Sequence, residues 1–306
     1  TLSRGMEGRD KSHLEGLGRE QALACGVRLL SEDGKDLEDE LFFKEAFCEA
    51  ARLGIAVSCH CEAGGQQAAR EKQEGKGRDI WSRTEENLGT ERAIRLGGEA
   101  KAHVHLAHVS TKEALALLRK AKAAGKKISA EATPMHLLLT RSHARELGEE
   151  SWGRVNPPLR EEEDRTALIA ALVDGTIDMI CTDHAPHSAS DKEGGAPGFV
   201  GLETAFAALK TFLVDKGIIS LEKLSSLMSQ APASLLGLED RGLVAEGLRA
   251  DLVLVDLAAD WTVEPESFLS RGRNTPFSQM RMTGKVIMTW HRATLVWMDR
   301  SPAKGC

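Results

Sequence analysis

The sequence lacks a surplus of basic residues: 40 lysines and arginines stand against 46 aspartates and glutamates, so the net charge is −6. This balance argues against a nucleic-acid partner, because nucleic-acid-binding domains carry a basic surface. No apolar run reaches the roughly 18 residues that a membrane span requires. The polar opening segment TLSRGMEGRDKSHLEG contains no apolar signal-peptide core either. We therefore expect neither a nucleic-acid nor a membrane partner.

Cysteine is also scarce, with six in 306 residues. So few cysteines do not form the dense disulfide framework of small secreted proteins, and a reducing cytoplasm is the expected location. The hydrophobic content of 42% and the charged content of 28% are ordinary for a globular protein. The length allows one large core and a smaller annex.

Short apolar runs alternate with helical patterns over the first part of the chain. We predict strands at residues 27–30, 55–60, 103–108, 127–132 and 177–182, and helices at 37–53, 112–124 and 161–173. Ser110 is the predicted N-cap of the second of these helices. Repeated strand–helix units predict an α/β fold with a parallel sheet covered by helices. A closed (β/α)₈ barrel has eight strands, so a barrel built from this sequence would contain about its last five.

The pattern changes after about residue 220. Short strands with turns are predicted at residues 243–247, 250–256, 284–289 and 294–297. They indicate a small β-rich annex. The predicted domains are an incomplete barrel at 1–240 and part of the annex at 241–306.

Polar residues stand where three of the predicted strands end: His60, His108 and Asp183. Asp33 follows the first predicted strand. In a parallel barrel the carboxyl ends of the strands face the active site. Imidazoles and carboxylates that converge there suit zinc. Any one of these residues alone is more often structural, and it is their joint placement that predicts a metal site.

The histidines near the third strand differ in their placement. His103 begins that strand, and His105 is expected to pack or form hydrogen bonds within it. Only His108 lies at the end that would face an active site.

The segment CTDHAPH at residues 181–187 is the most specific signal. It follows an apolar strand and reaches a proline, so its polar groups stand on a rigid strand tip. A carboxylate beside activated water can take a proton and later return it to a leaving amine. Asp183 is therefore the predicted catalytic acid and base. A polar strand-to-loop turn is the alternative.

Motifs spread along the chain resemble those of dihydroorotases, in particular the class I, bacterial type within the amidohydrolase superfamily. They are VNPPLR at 155–160, TDHAPH at 182–187, GLETA at 201–205 and GRNTPF at 272–277, with shorter likenesses at 60–62, 108–111 and 131–134. The resemblance implies a (β/α)₈ barrel with a small β-sandwich annex. It also implies reversible hydrolysis of the cyclic amide of dihydroorotate to N-carbamoyl-L-aspartate, in pyrimidine biosynthesis.

The resemblance assigns roles to the strand-end residues. His60 and His108 are similar to the histidines that bind the second of two zinc ions, and Asp33 to the carboxylate that bridges both ions. Asp183 matches the acid and base that also touches the first ion.

Further residues match the substrate-binding groups of the family. Asn156 and His187 are similar to residues that contact the substrate ring, and Pro197 with Gly198 lies in a loop whose backbone does so. The family also suggests a homodimer, and aspartate transcarbamoylase as a candidate partner.

Two departures from the family pattern stand out. The His-x-His pair of the first barrel strand is absent, as are the arginine and asparagine that hold the substrate carboxylate. We therefore expect the sequence to be truncated at its N-terminus and the isolated chain to have little activity. In addition, Met135 stands where the family usually has a histidine beside His136.

Two other functions remain open at this point. One is a different cyclic amidohydrolase, such as an allantoinase or dihydropyrimidinase, although these tend to use a carboxylated lysine in place of Asp33. The other is a non-catalytic, dihydroorotase-like partner of aspartate transcarbamoylase. The survival of Asp33, His60, His108 and Asp183 favours an enzyme.

Overall fold

The computed structural model describes residues 19–32, 37, 39–62 and 82–299. The chain divides into two compact units. The first runs to Cys181 and includes Gly195–Pro197, and the second comprises Thr182–Gly194 and the chain from Gly198 onward. The sequence-based division at residue 240 differs from this grouping, and it stays a prediction of domain organisation.

Five parallel strands form the sheet of the first unit, in the order β1-β2-β3-β4-β5. They are β1 (Leu29–Glu32), β2 (Ala56–Cys59), β3 (His103–Leu106), β4 (Ile128–Ala132) and β5 (Met179–Ile180). All five predicted strands are present: β1 begins two residues later than predicted, and the other four are shorter. Each strand pairs with the next along the chain, as in a segment of a (β/α)₈ barrel. The predicted α/β class is confirmed.

Helices precede and connect these strands. They are α1 (Arg19–Ala24), α2 (Glu40–Leu53), α3 (Thr84–Glu99), α4 (Lys112–Ala123), α5 (Pro134–Leu138), α6 (Arg141–Leu147) and α7 (Glu162–Val173). Helix α2 starts where the Asp39 carboxylate accepts hydrogen bonds from two backbone N–H groups of its first turn. It ends at Gly54, whose φ of +66° closes the last turn.

The predicted N-cap of α4 is wrong by one residue. Thr111, not Ser110, caps this helix, and its hydroxyl accepts a hydrogen bond from the N–H of Ala114 at 3.2 Å. Ser110 is held by the carboxylate of Glu86 instead. The long-range contact with Glu86 therefore outweighs the local preference of Ser110 for the N-cap position.

The core of the first unit lies between the sheet and its helices. Val57, Leu106, Phe47 and Leu118 are all fully buried there, and burying one such side chain stabilises the fold by about 1.5–3 kcal/mol. Helix α3 packs so closely on β3 that a Cβ atom on Gly97 would lie 2.2 Å from the Val104 side chain. This packing fixes α3 against the strand that leads to His108.

The second unit combines short helices with an antiparallel sheet of order β6-β7-β8. Its helices are α8 (Ala189–Glu193), α9 (Ala205–Leu209), α10 (Leu221–Ser225) and α11 (Ala231–Leu235), with π-helical turns at Lys210–Val214 and Ser226–Gln230 and a 3₁₀ turn at Pro265–Ser267. Its strands are β6 (Leu252–Thr262), β7 (Arg281–His291) and β8 (Thr294–Met298).

One strand predicted for the annex is wrong. Residues 243–247 form turns and bends rather than a strand. Gly242 precedes them and Gly247 is the last of them, with φ values of +93° and +83°, and Val244 is 87% exposed. Leu243 is also exposed, at 52%, so extended structure would bury little apolar surface here.

Within the described ranges, no helix combines the length and the apolar character needed to cross a membrane.

Candidate active site

Two strand-end histidines of the first unit face each other. His60 follows β2 directly, and His108 lies two residues beyond β3. Strands β2 and β3 are parallel and pair Cys59 with Leu106, so both histidines leave the sheet at the same edge. Nδ1 of His60 lies 2.8 Å from Nε2 of His108, and the rings meet edge to face. The sequence-based pairing of these two residues is therefore present in the structure.

Both rings are buried, at 6% and 5% exposure. At 2.8 Å, one of the two facing nitrogens carries the proton that the other accepts. His108 also has a φ of +34°, which is unusual for a residue with a side chain. Such backbone strain costs of order 1 kcal/mol and tends to occur at functional sites.

The Glu62 carboxylate fixes the other side of the His60 ring. Its Oε2 atom lies 3.0 Å from Nε2 of His60. A proton held on Nε2 by this carboxylate leaves the lone pair of Nδ1 directed at His108. A carboxylate behind a histidine is the usual arrangement that orients a metal-binding imidazole and raises its basicity.

Glu62 is therefore expected to tune metal affinity without binding the metal. In the full-length protein, Glu62→Gln should weaken zinc binding by about 10- to 100-fold, the usual effect of removing such an outer partner. Competition with a chelator of known affinity measures the change. Glu49→Gln alters a half-buried carboxylate that pairs with Arg52 and serves as the control. Equal zinc affinity in both variants would contradict the assignment.

Asn156 lies beside the same carboxylate. Its Nδ2 group donates to Oε2 of Glu62 at 2.9 Å and lies 3.2 Å from Nε2 of His60. A cavity of about 190 Å³ opens here, and His60, Glu62, His108, Asn156, Arg160 and Pro197 are among its lining residues. Three predicted metal or ring-binding residues and one predicted loop residue thus share a cavity.

A second cavity, of about 360 Å³, lies at the opposite ends of β3 and β4. Its lining includes Lys101, Lys126 and Lys127 but no histidine or carboxylate. The chemistry-bearing side chains belong to the smaller cavity, so we place the site there.

A buried ion pair holds the walls of the 190 Å³ cavity together. Glu86, in the first turn of α3, accepts hydrogen bonds from the N–H groups of Ser110 and Thr111 at 2.8 and 3.0 Å. Arg160 donates to the same carboxylate at 3.0 Å and to the Ser110 hydroxyl at 2.9 Å. The pair therefore joins the loop after His108 to the VNPPLR segment.

The ionisation of Glu86 reflects these contacts. Burial by itself would raise the pKa of this carboxyl, but the charge of Arg160 and the hydrogen bonds from Ser110 together bring the pKa below its ordinary value. Glu86 therefore stabilises the fold above its unfolded-state pKa of about 4.3. This stabilisation is lost as the pH falls through the lower, folded-state pKa.

The free energy of unfolding should accordingly decrease as the pH falls from about 5. The Glu86→Gln variant should be less stable at neutral pH and show a shallower acid slope, because it has no carboxylate to protonate. Denaturant titrations at several pH values measure both quantities. Glu162→Gln removes an exposed carboxylate beside Arg165 and should leave the slope nearly unchanged. Identical slopes in wild type and Glu86→Gln would contradict the role of the pair.

His136 supports the same segment from the other side. Its Nε2 donates to the carbonyl oxygen of Pro157 at 2.9 Å, and its Nδ1 accepts from the Thr133 hydroxyl at 2.7 Å. The neighbouring Met135 is buried, at 3% exposure. The structure thus gives His136 a structural role next to Asn156 and places Met135 in the core.

A hydrogen-bonded chain lies inside the sheet, as expected for His105. Its Nδ1 lies 2.9 Å from the Ser129 hydroxyl and its Nε2 lies 3.0 Å from Oε2 of Glu131. His103 contacts the same hydroxyl at 3.0 Å. Burial opposes ionisation of Glu131, but the hydrogen bond and charge of His105, with a hydrogen bond from Cys181, bring its pKa below its ordinary value.

The remaining predicted residues lie in the second unit. Asp183 follows β5 by three residues and has a φ of +48°, again unusual for a residue with a side chain. The N–H of His187 donates to Oδ1 of Asn274 at 3.1 Å. Gly198 has a φ of +130°, a conformation open to glycine.

The predicted metal residues are accounted for only in part. Asp33 lies outside the described residues. In the part of the chain that the structure describes, no three His, Cys, Asp or Glu side chains form a group that could hold a metal ion. The histidine pair is the element of the predicted site that the structure assembles.

Sequence reasoning missed the groups that support the site. Glu62 ends the short family likeness at residues 60–62 and Arg160 ends the VNPPLR motif, so both could have been noticed there. Glu86 gave no signal, because it lies in an ordinary helical pattern 74 residues before its partner Arg160.

Comparison with known proteins finds similarity over most of the chain. The sequence model of the amidohydrolase family matches residues 33–296. The chain is similar to dihydroorotases from Bacillus cereus (strain G9842) and Bacillus thuringiensis (strain Al Hakam), with 40% identity over 285 residues for each. These alignments cover 90% of the chain and 66% of each relative. The chain therefore spans just under two thirds of the length of these relatives.

Solved structures give a consistent result. The chain is similar to an L-hydantoinase (dihydropyrimidinase) from Arthrobacter aurescens, with a TM-score of 0.80 and 31% identity over 89% of the chain and 63% of that protein. A dihydropyrimidinase from Brevibacillus agri NCHU1002 gives a TM-score of 0.83 and 25% identity over 92% of the chain and 67% of that protein.

Proposed function

The chain belongs to the amidohydrolase family, and on that premise we propose that the full-length protein is a dihydroorotase. It would interconvert (S)-dihydroorotate and N-carbamoyl-L-aspartate, the ring-opening and ring-closing reaction of de novo pyrimidine biosynthesis. The identity of 40% to dihydroorotases, above the 31% and 25% to the hydantoinase and dihydropyrimidinase structures, supports this substrate.

The observation that carries the proposal is the contact between His60 and His108. Two buried imidazoles from adjacent parallel strands face each other at 2.8 Å, and a carboxylate stands behind one of them. Neutral imidazole nitrogens are preferred ligands of zinc. A histidine pair with such support is better suited to a metal than to a purely structural contact.

The facing nitrogens of His60 and His108 are suited to hold a metal ion. Nitrogen ligands about 2.0–2.1 Å from a tetrahedral zinc lie roughly 3.3 Å apart, so a small separation of the two rings would admit the ion. His60 and His108 would hold it, with Asp33 and Asp183 as the proposed carboxylate ligands. When bound, zinc lowers the pKa of water and polarises the amide carbonyl.

Asp183 is the proposed acid and base. Its carboxylate accepts the proton of the attacking water and passes it to the ring nitrogen as the amide bond breaks. The same transfers in the opposite direction accompany ring closure. A carboxylate on a rigid strand tip suits this role, because proton transfer requires a fixed donor–acceptor geometry.

Substrate orientation falls to three groups in this proposal. Asn156 would contact the substrate ring from the cavity wall, where its amide is already held by Glu62. His187 and the backbone at Pro197 and Gly198 would contact the ring elsewhere. Fixed polar groups of this kind turn binding energy into correct alignment.

A dihydropyrimidinase or hydantoinase is the competing function, favoured by the similarity to those solved structures. Turnover of dihydroorotate, dihydrouracil, hydantoin and allantoin by the full-length protein separates the candidates. We expect the highest kcat/KM for dihydroorotate. Preference for dihydrouracil, hydantoin or allantoin would overturn the dihydroorotase assignment.

The homodimer and the association with aspartate transcarbamoylase remain proposals that rest on the family resemblance. Size-exclusion chromatography of the full-length protein, with and without a transcarbamoylase, tests both.

A further inference from the structure

The GRNTPF motif has no role in the reaction described above, yet Asn274 within it is almost fully buried, at 1% exposure. Its side chain makes three hydrogen bonds, and each one ends on a backbone group. Nδ2 donates to the carbonyl oxygens of Ala185 and Gly198, at 2.9 and 3.1 Å. Oδ1 accepts from the N–H of His187 at 3.1 Å.

These three bonds join two segments of the second unit that lie side by side. His184 and Phe199 form a parallel β-bridge, and the N–H of Ala185 donates to the Phe199 carbonyl at 2.9 Å. The backbone of Asn274 extends the contact, since its carbonyl accepts from Val200 at 3.0 Å. Asn274 therefore stabilises this short pairing by bonding to the backbone of both segments, as an additional strand would.

The two joined segments approach each other at Gly198. A Cβ atom on Gly198 would lie 2.5 Å from the Cβ atom of Ala185 and 3.3 Å from Nε2 of His187. The Gly198 carbonyl is held twice, because the buried ammonium of Lys192 also donates to it, at 3.1 Å. The separation of the His187 ring from the Gly198 backbone is thus closely defined.

We propose that Asn274 is a positioning residue that sets the spacing between His187 and Gly198. This spacing in turn sets the contacts that His187 and Gly198 make with the substrate ring. This inference rests on the proposed function for the roles of His187 and Gly198 as ring contacts. Asn274 itself need not touch the substrate. It acts through the backbone of both segments.

Two substitutions in the full-length protein test the proposal. Asn274→Asp has nearly the same shape and keeps the acceptor for His187, but it turns an oxygen toward the carbonyl groups of Ala185 and Gly198. Asn274→Ala removes all three bonds. Thr275→Val is the matched control, because the Thr275 hydroxyl accepts a local hydrogen bond from the N–H of Phe277, two residues along the chain, at 3.3 Å.

We expect both Asn274 variants to raise the KM for dihydroorotate about 10-fold or more, because misplacing binding groups by around 1 Å can cost up to about 10²-fold. The value of kcat should change much less, since the affected groups contact the ring rather than the reacting bond. Asn274→Asp should be at least as impaired as Asn274→Ala. A wild-type KM in Asn274→Asp, or an equal defect in Thr275→Val, would overturn the proposal.

A variant that fails to fold gives no KM, so the wild-type protein supplies a second test. The His187 amide, whose acceptor is the Asn274 side chain, should exchange its hydrogen slowly, and dihydroorotate should slow it further. Exchange at the rate of an open chain, with or without ligand, would overturn the proposal.

Failure of the proposed function would show in the substrate preference of the wild-type protein rather than in the variants. Wild-type protein that prefers hydantoin or dihydrouracil would refute the dihydroorotase assignment. The Asn274 variants would then be assayed on that ring, with the same KM shift expected.

Discussion

Replacing Asp183 with asparagine in the full-length protein should lower turnover of dihydroorotate by between about 10² and 10⁴-fold, the contribution typical of a positioned acid and base. An amide has nearly the same shape as the carboxylate but cannot accept the proton of water at neutral pH. Folding and most of the bound metal should persist, because both histidines and Asp33 remain as proposed ligands. Steady-state kinetics, a thermal melt and metal analysis on one preparation measure all three quantities.

The matched control is Asp191→Asn in the same unit. Asp191 caps the short helix α8 through Ser188, so its loss should cost about 1 kcal/mol of stability or less and leave turnover near the wild-type value. Wild-type turnover in Asp183→Asn would remove this residue from the chemistry. An equal loss in both variants would indicate general damage to the segment.

Removing either facing histidine should have a larger effect. His60→Ala and His108→Ala should each lower the zinc content of the full-length protein and reduce turnover to near the background rate. The physical reason is that each variant removes one of the two proposed nitrogen ligands, and imidazole nitrogens are preferred ligands of zinc. Metal analysis after dialysis and kinetics in metal-free buffer measure the two effects.

His103→Gln is the control for this pair. His103 lies at the opposite end of β3 and contacts the Ser129 hydroxyl rather than His108. This variant should keep its zinc and its turnover. Full zinc content and activity in either alanine variant would exclude the histidine pair as a metal site.

The sheet and the histidine pair could be predicted because both depend on local patterns. Short runs that contain apolar residues mark β2 (AVSC) and β3 (HVHL), and a histidine soon after each run marks its carboxyl end. Parallel pairing of consecutive strands then brings the two ends together. His60 and His108 follow from this arrangement without knowledge of any other contact.

The errors and omissions arise where a long-range contact outweighs a local preference. Ser110 has the chemistry of an N-cap, but the Glu86 carboxylate occupies it and leaves the cap to Thr111. The bond from His136 to Pro157 joins residues 21 positions apart, and its geometry has no signature in the sequence. Such contacts decide how firmly the site is held, and they become visible only in the fold.

The role of Asn274 belongs to the same class. The motif around it could be recognised, but its three bonds reach backbone groups 76 to 89 residues away. Backbone groups carry no side-chain identity, so no pattern of residue types predicts which of them a buried amide will bind. The motif indicated that the segment matters, and the structure indicates what it holds.

We propose that His60, His108 and Asp183 act on one metal centre. A crystal structure of the full-length protein with zinc, with data collected at the zinc absorption edge, tests it most directly. We expect an anomalous peak about 2.0–2.2 Å from a nitrogen of each histidine and a carboxylate oxygen of Asp183 within reach of the same centre. Zinc bound at other residues, or Asp183 far from a zinc held by the histidines, would contradict the account.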